Sequence, residues 1–243
     1  MDLFALLRLP EEDLIIDFNE FKTVSQRIKN KIEERIEEIK NCISHFKENK
    51  IIEHSTMPLR NLIDKGWSIT SKSISSETNK HFELVGVKAS IGSREVSSWY
   101  QPIVKDNVPK TYVFLIKEIN KTPHIAVQAV EEDFSWSGPE LGPSLHSIDS
   151  QSMLLEKLRD LGITSKQYRV IYDKLQSEEG GRFLEQKNRY MLIDLDNSVE
   201  VKMTDRFRWM TLYQLKKMTS LECSVNIEAR TLLTIASYYK EQE

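Results

Sequence analysis

Residues 176–183 read Gln-Ser-Glu-Glu-Gly-Gly-Arg-Phe, which brings two carboxylates, a glycine pair, a cation and an aromatic ring into eight positions. Glu178 or Glu179 could act as a general base there. Arg182 would partner an anionic oxygen, Phe183 would wall the site, and Gly180 with Gly181 could adopt positive φ and let backbone approach a ligand. The competing reading is an acidic turn entering a strand. Asn188, Arg189 and Tyr190 follow closely and add donors on the next strand. A second polar and aromatic cluster is Trp99-Tyr-Gln-Pro102. Indole and phenol rings stack on a base or sugar while Gln101 hydrogen-bonds it, or the cluster is a strand end with a buried aromatic.

Other chemistries lack their residues. Neither GxxxxGK[ST] nor GxGxxG occurs, which excludes the usual glycine-rich phosphate cradles. The five histidines (His45, His54, His81, His124 and His146) are scattered without HExxH, so no metal is expected. GxSxG is absent, and Cys42 and Cys223 form no CxxC pair and read as free thiols. The acidic doublets Glu33-Glu34 and Glu37-Glu38 have no glycine turn before them and read as a solvated helix face. Lys and Arg number 34 against 37 Asp and Glu, for a net charge of −3. Such a balance argues against nucleic-acid or polybasic membrane partners, which require an excess of positive charge. The longest apolar runs, such as 112–116, are too short to cross a bilayer, and Asp2 stands where a secretory leader would be basic. The expectation is a cytoplasmic protein with no bound cofactor.

These residues need elements to hold them. A length of 243 residues suits one domain with an appendage. The first 65 residues contain no glycine, and apolar positions at Phe21, Val24, Ile28, Ile32, Ile36, Ile39, Ile43 and Phe46 recur three or four apart. That spacing predicts a long N-terminal amphipathic helix in an arm over 1–54, laid on its own domain or forming a dimer contact. The body is expected over 55–243. Alternation over 82–89 predicts a half-buried strand, and 111–119 with 124–130 predict a hairpin turning at 120–123. The Gly-Pro-rich stretch 135–143 predicts an irregular loop. A helix should start at Asp149 or Ser150 and stop at Gly162. A buried strand follows at 190–195, then helices at 211–219 and 226–239, the last with Asn226 as N-cap and Glu228 in its first turn. The fold class is α+β, a mixed sheet flanked by helices.

Four ordered blocks closely resemble one family. SEEGGRF at 177–183, QKNRYM at 186–191, RWMTL at 208–212 with Gln214-Leu215, and VNIEAR at 225–230 are similar, in order and spacing, to the C-terminal signature of the NDP-hexose 2,3-dehydratases. Met57-Pro-Leu59, Gly66-Trp67, 82–86, Trp99-Tyr-Gln-Pro-Ile103 and Val127-Gln-Ala129 look like its upstream landmarks, so the resemblance covers about residues 55–235. It implies a Nudix-hydrolase-like fold without the hydrolase metal box. Family members carry two such modules, and this chain has the length of one, which implies a homodimer.

The resemblance further implies cofactor-independent dehydration of a nucleotide-linked 4-keto-6-deoxyhexose, dTDP-linked by expectation, with a downstream 3-ketoreductase taking up the product. The base would be Glu178 or Glu179, and Arg182 or Tyr190 would face the developing charge. Trp99, Gln101, Gln128, Phe183, Asn188, Asn226 and Arg230 would contact sugar or nucleotide. Glu228 and Arg230 could equally form an ion pair at the helix start. The chain departs from the family pattern at 130–136 and at Pro143-Ser-Leu-His146, where His146 is either an added acid or base or a surface histidine. The alternative function is a catalytically silent Nudix-like module that binds a nucleotide or a partner protein.

Overall fold

Strand pairing organises most of the chain. The computed structural model describes residues 36–41, 44, 55–76, 82–93, 95–106, 108–132 and 138–239. The chain divides into Met1–Cys42 and Ile43–Glu243. In the first unit residues 36–41 are helical, and Lys40 Nζ meets Glu37 Oε2 at 3.1 Å one turn away. Apart from 36–41 and 44, the helix expected over 21–46 lies outside the described residues.

The second unit opens with a 3-10 helix, Leu59–Lys65, stopped by Gly66 at φ 80°. Strands β1 (Trp67–Ile69), β2 (Ser73–Ser76), β3 (Phe82–Ser90) and β4 (Ser98–Asp106) then form an antiparallel sheet in chain order. A larger mixed sheet holds β5 (Thr111–Ile119), β6 (Thr122–Val130), β7 (Glu140–Gly142), β8 (Leu145–Ile148), β9 (Tyr168–Ser177), β10 (Lys187–Leu195) and β11 (Phe207–Thr211). Its path is β11-β6-β5-β10-β9, with β7 on β6 and β8 on β5. The β5–β6 hairpin turns on Asn120 and Lys121, both at positive φ, which matches the right-handed twist of its strands. Strand β10 runs parallel to β5, and the other pairings are antiparallel.

Central strands β5 and β10 are buried on both faces. Val113, Leu115, Met191 and Ile193 pack with Leu154 and Leu158 of helix α1 (Gln151–Asp160). The alternate residues Phe114 and Leu192, also fully buried, point to the opposite face. Helix α3 (Ile227–Tyr239) lies along β5, β7 and β10, burying Ala229, Leu232, Leu233 and Ala236, and contacts helix α2 (Leu212–Met218). The architecture is the expected α+β class, and no helix among the described residues is long and apolar enough to cross a membrane.

Helix ends follow their capping residues. Ser150 Oγ accepts from Met153 N, Thr211 and Gln214 form a capping box, and Asn226 Oδ1 accepts from Ala229 N at 2.9 Å. Gly162, at φ 79°, follows α1. The loop expected over 135–143 is corrected in part, since Glu140–Gly142 is strand β7 on the edge of β6. Ser144 enables the tight return from β7 to β8. Its hydroxyl accepts from Leu115 N at 2.8 Å and donates to Ala126 O, satisfying buried backbone that the departing strands leave unpaired.

Candidate active site

The parallel register of β10 on β5 sets Tyr190 beside Tyr112, with ring centroids 5.5 Å apart. Strand alternation carries Asn188, Tyr190, Tyr112 and Phe114 to the face that α3 covers. The loop from β9 to β10 returns at this end of the sheet, where Glu178 N donates to Gln186 O at 3.0 Å. Asn188, only 4% exposed, donates Nδ2 to Glu178 Oε1 at 2.7 Å and accepts at Oδ1 from Lys110 N at 2.9 Å. Tyr190 Oη donates to the same Glu178 oxygen at 3.4 Å. Both ends of the amide are committed, so Glu178 is held from two sides.

Asn226 starts α3 and thereby brings Glu228 over the two phenols. Burial pushes the Glu228 carboxyl up to about 7; the carboxylates of Glu132 and Glu178 add to the rise, while its backbone hydrogen bond and Arg230 oppose it. Its Oε2 is buried without a hydrogen-bond partner among the described residues. Asn226 Nδ2 reaches Glu132 Oε1 at 3.5 Å. Burial first, then Glu228, Tyr190 and Glu178, raise the Tyr112 hydroxyl far above the ordinary phenol value, against a hydrogen bond with Ser147. Tyr190 is raised likewise, by burial first and then by Glu178 and Glu228, against a hydrogen bond with Thr231. Both phenols therefore stay protonated and can donate to an oxygen that becomes negative. One carboxyl poised near neutrality, a second held by two donors, and two protonated phenols can move a proton on, move one off and stabilise an oxyanion.

Of the residues singled out in the sequence, Glu178, Asn188, Tyr190 and Asn226 meet here. Glu179 and Arg182 do not. They form an ion pair at 2.7 Å with side chains 61% and 63% exposed, because the carbonyl of Glu179 accepts from Arg182 N and Phe183 N and the tight turn points both side chains outward. Gly180 and Gly181 are not at positive φ; in that loop Glu185 is, at 53°. Phe183 sits beneath the Arg182 guanidinium, 5.8 Å from carbon to ring centre, and bridges to Val104 of β4. Trp99 Nε1 donates to Gln101 Oε1 at 2.8 Å, and Gln101 Nε2 donates to Gly181 O at 2.9 Å, so this pair pins the loop to the smaller sheet. Gln128 shares the α1-facing side of β6 with Ala126 and donates to Ser144 O at 3.0 Å, on the opposite face from the phenols. His146 is exposed on β8. Arg230 is also exposed, reaches Asn226 O at 3.4 Å and forms no ion pair with Glu228. Glu179→Gln is therefore expected to keep turnover within about fivefold of the parent protein, as loss of an exposed ion pair is worth at most about 1 kcal/mol; steady-state kinetics check it.

Sequence reasoning missed Tyr112 and the role of Glu228. A phenol inside the apolar run 112–116 was one available signal, since a buried hydroxyl needs a polar partner. A carboxylate two residues after an N-cap was the other, although that position usually serves only the helix dipole.

Residues 36–236 match the family described as NDP-hexose 2,3-dehydratase. The chain is similar to the dTDP-4-dehydro-6-deoxy-α-D-glucopyranose 2,3-dehydratase of Streptomyces violaceoruber, 34% identical over 74% of this chain and 41% of that one. It is likewise similar to the enzyme of the same name from Saccharopolyspora spinosa, 30% identical over 80% of this chain and 41% of the relative. The chain thus spans about two fifths of the length of the curated relatives it matches. Among solved structures it is similar to a Nudix hydrolase from M. smegmatis, 10% identical, with a TM-score of 0.41 over 58% of this chain and 89% of that one.

Proposed function

The chain belongs to the NDP-hexose 2,3-dehydratase family, and on that premise we propose that it removes water across C2 and C3 of a nucleotide-linked 4-keto-6-deoxyhexose, with Glu178 as base and Glu228 as acid. The arrangement of those two carboxyls around the protonated Tyr112 and Tyr190 carries the reading. The C4 ketone acidifies the C3 hydrogen. Glu178 takes that proton, and the electron pair of the C3–H bond moves onto the ketone oxygen as an enolate. Tyr112 donates to this oxygen, and Tyr190 joins it once protonation of Glu178 releases its single O–H from that carboxylate, each such donor being worth about 2.7–4 kcal/mol where it is aimed at the developing charge. As the ketone reforms, the C2–O bond breaks, and Glu228 supplies the proton with which the hydroxyl leaves as water. The resulting C2=C3 enol takes a proton at C2, releases one from O3 and becomes the 3,4-diketone. No net oxidation or reduction occurs, so the elimination calls for no redox carrier.

The relatives' names suggest the substrate class, and a dTDP-linked sugar is the first candidate. A cytoplasmic location follows from that substrate class. We also propose a homodimer that brings two such modules together, and the reactive diketone product calls for a reductase acting at C3. The direct test supplies dTDP-4-keto-6-deoxyglucose with a 3-ketoreductase and follows the sugar by mass spectrometry. The expected product is the 2-deoxy sugar; unchanged substrate alongside retained dTDP binding would instead favour the silent binding module.

A further inference from the structure

The four-stranded sheet has an open groove of about 580 Å³ that the proposed chemistry does not use. Register places its floor. Ile74 pairs with Leu84, Gly86 with Pro102 and Leu84 with Val104, so these side chains share one face. The middle of that floor is bare. Gly86 is not at positive φ, and a Cβ built there would meet no atom within 4 Å, so neither backbone strain nor packing requires glycine. Glycine inside a strand weakens it and often marks a place where a ligand comes close to the backbone. Beside it Pro102 presents a flat ring without an N–H.

Two cations stand at the rim. Lys72 lies in the turn between β1 and β2, where Thr70 Oγ1 accepts from Lys72 N at 3.1 Å and Ser73 N at 3.0 Å, and Lys72 forms no ion pair with any described residue. Arg182 closes the other side. Its Nε and Nη2 hold Glu179 Oε2, which leaves the rest of the guanidinium fork for a further anion. An apolar floor with a gap at its centre and cations at its edge suits a planar heterocycle that carries phosphate.

We propose that this groove binds a nucleoside diphosphate, with base and ribose over the Gly86–Pro102 floor and the diphosphate between Lys72 and Arg182. The proposal rests on the dehydratase reading for the identity of its ligand. The groove and the carboxylate cluster share one wall, since Glu178 hydrogen-bonds Asn188 and Tyr190 while Gly181 and Arg182, in the same loop, line the groove. Gly181 lies three positions after Glu178, at most about 11 Å between Cα atoms, a distance that the diphosphate and sugar ring of one nucleotide sugar bridge. The loop is clamped to the edge of β4, with Val104 N donating to Arg182 O at 2.9 Å and Leu184 N to Val104 O at 2.8 Å. The smaller sheet thereby holds the handle of the substrate at a set distance from the reacting carbons.

Calorimetric titration with dTDP of the parent protein, Gly86→Phe and Lys72→Glu tests this. Gly86→Phe fills the floor in open space and should weaken dTDP binding about tenfold or more without lowering the melting temperature. Lys72→Glu, at an exposed turn, should weaken it by several-fold and reduce its salt dependence. Unchanged affinity in folded Gly86→Phe, or in Lys72→Glu should Gly86→Phe not fold, overturns the groove, as does a parent protein that does not bind dTDP. The two readings fail separately. Binding lost in Gly86→Phe with no turnover by the parent leaves the groove and removes the dehydratase; turnover with an unchanged KM in Gly86→Phe does the reverse.

Discussion

Glu178→Gln is expected to lower kcat by about 10²- to 10⁴-fold, the range that a positioned base contributes, while KM stays near that of the parent. Gln is close in size to Glu, and its amide oxygen can still accept from Asn188 Nδ2 and Tyr190 Oη, so the donors that hold the side chain keep their partner. Only the capacity to take a proton is lost. Solvent exchange provides a second measurement. The parent should wash deuterium into C3 of unreacted substrate whenever hydroxyl departure is slower than enolate return, and the variant should not. Full turnover by a folded Glu178→Gln protein would falsify the assignment of the base.

Glu228→Gln should also lose activity by about 10²-fold or more, and its signature is the pH profile. Because the Glu228 carboxyl is pushed up to about 7, the acid form needed for hydroxyl departure is lost as pH rises past that value. Turnover of the parent should fall on an alkaline limb near pH 7, and that limb should be missing from the residual activity of the variant. The substitution should change stability in the opposite sense to activity. The folded state binds its extra proton between about 4.5, the ordinary value, and about 7, so the contribution of Glu228 is most favourable below that window and is lost as pH climbs through it. At pH 8 the parent carries a charged, partly buried carboxylate. Glu228→Gln should therefore be more stable there by about 1–3 kcal/mol, and the two should converge near pH 4. Urea melts at the two pH values check the sign.

The elements legible in the sequence are those whose signal is local. The β5–β6 hairpin announces itself through β-branched runs on either side of Asn120 and Lys121, and α3 through Asn226, whose side chain caps the helix as expected. Strand β9 escaped notice because it is an edge with most of its side chains exposed, so burial imposes no alternation on it. At the site, Glu178, Asn188 and Tyr190 were recoverable because one short stretch of chain holds them. Tyr112 was not, since its partner arrives through a parallel pairing with a strand far along the chain, and parallel register leaves no mark in local periodicity. Glu179 and Arg182 misled for a related reason: residue type showed that they could do chemistry, but the direction of the turn decides which neighbour of the glycines faces inward.

The union of β5 with β10 also bears on how the molecule is assembled. Each phenol belongs to a segment that has no contact with the other until the crossover through α1 and β9 has closed, and loop closure of that span is among the slower steps available to a chain. A half-folded intermediate with a native β5–β6 hairpin would carry one hydroxyl and neither carboxyl, and so no fraction of the reaction. Catalytic competence accordingly depends on the β5–β10 register and is absent from any state that lacks it.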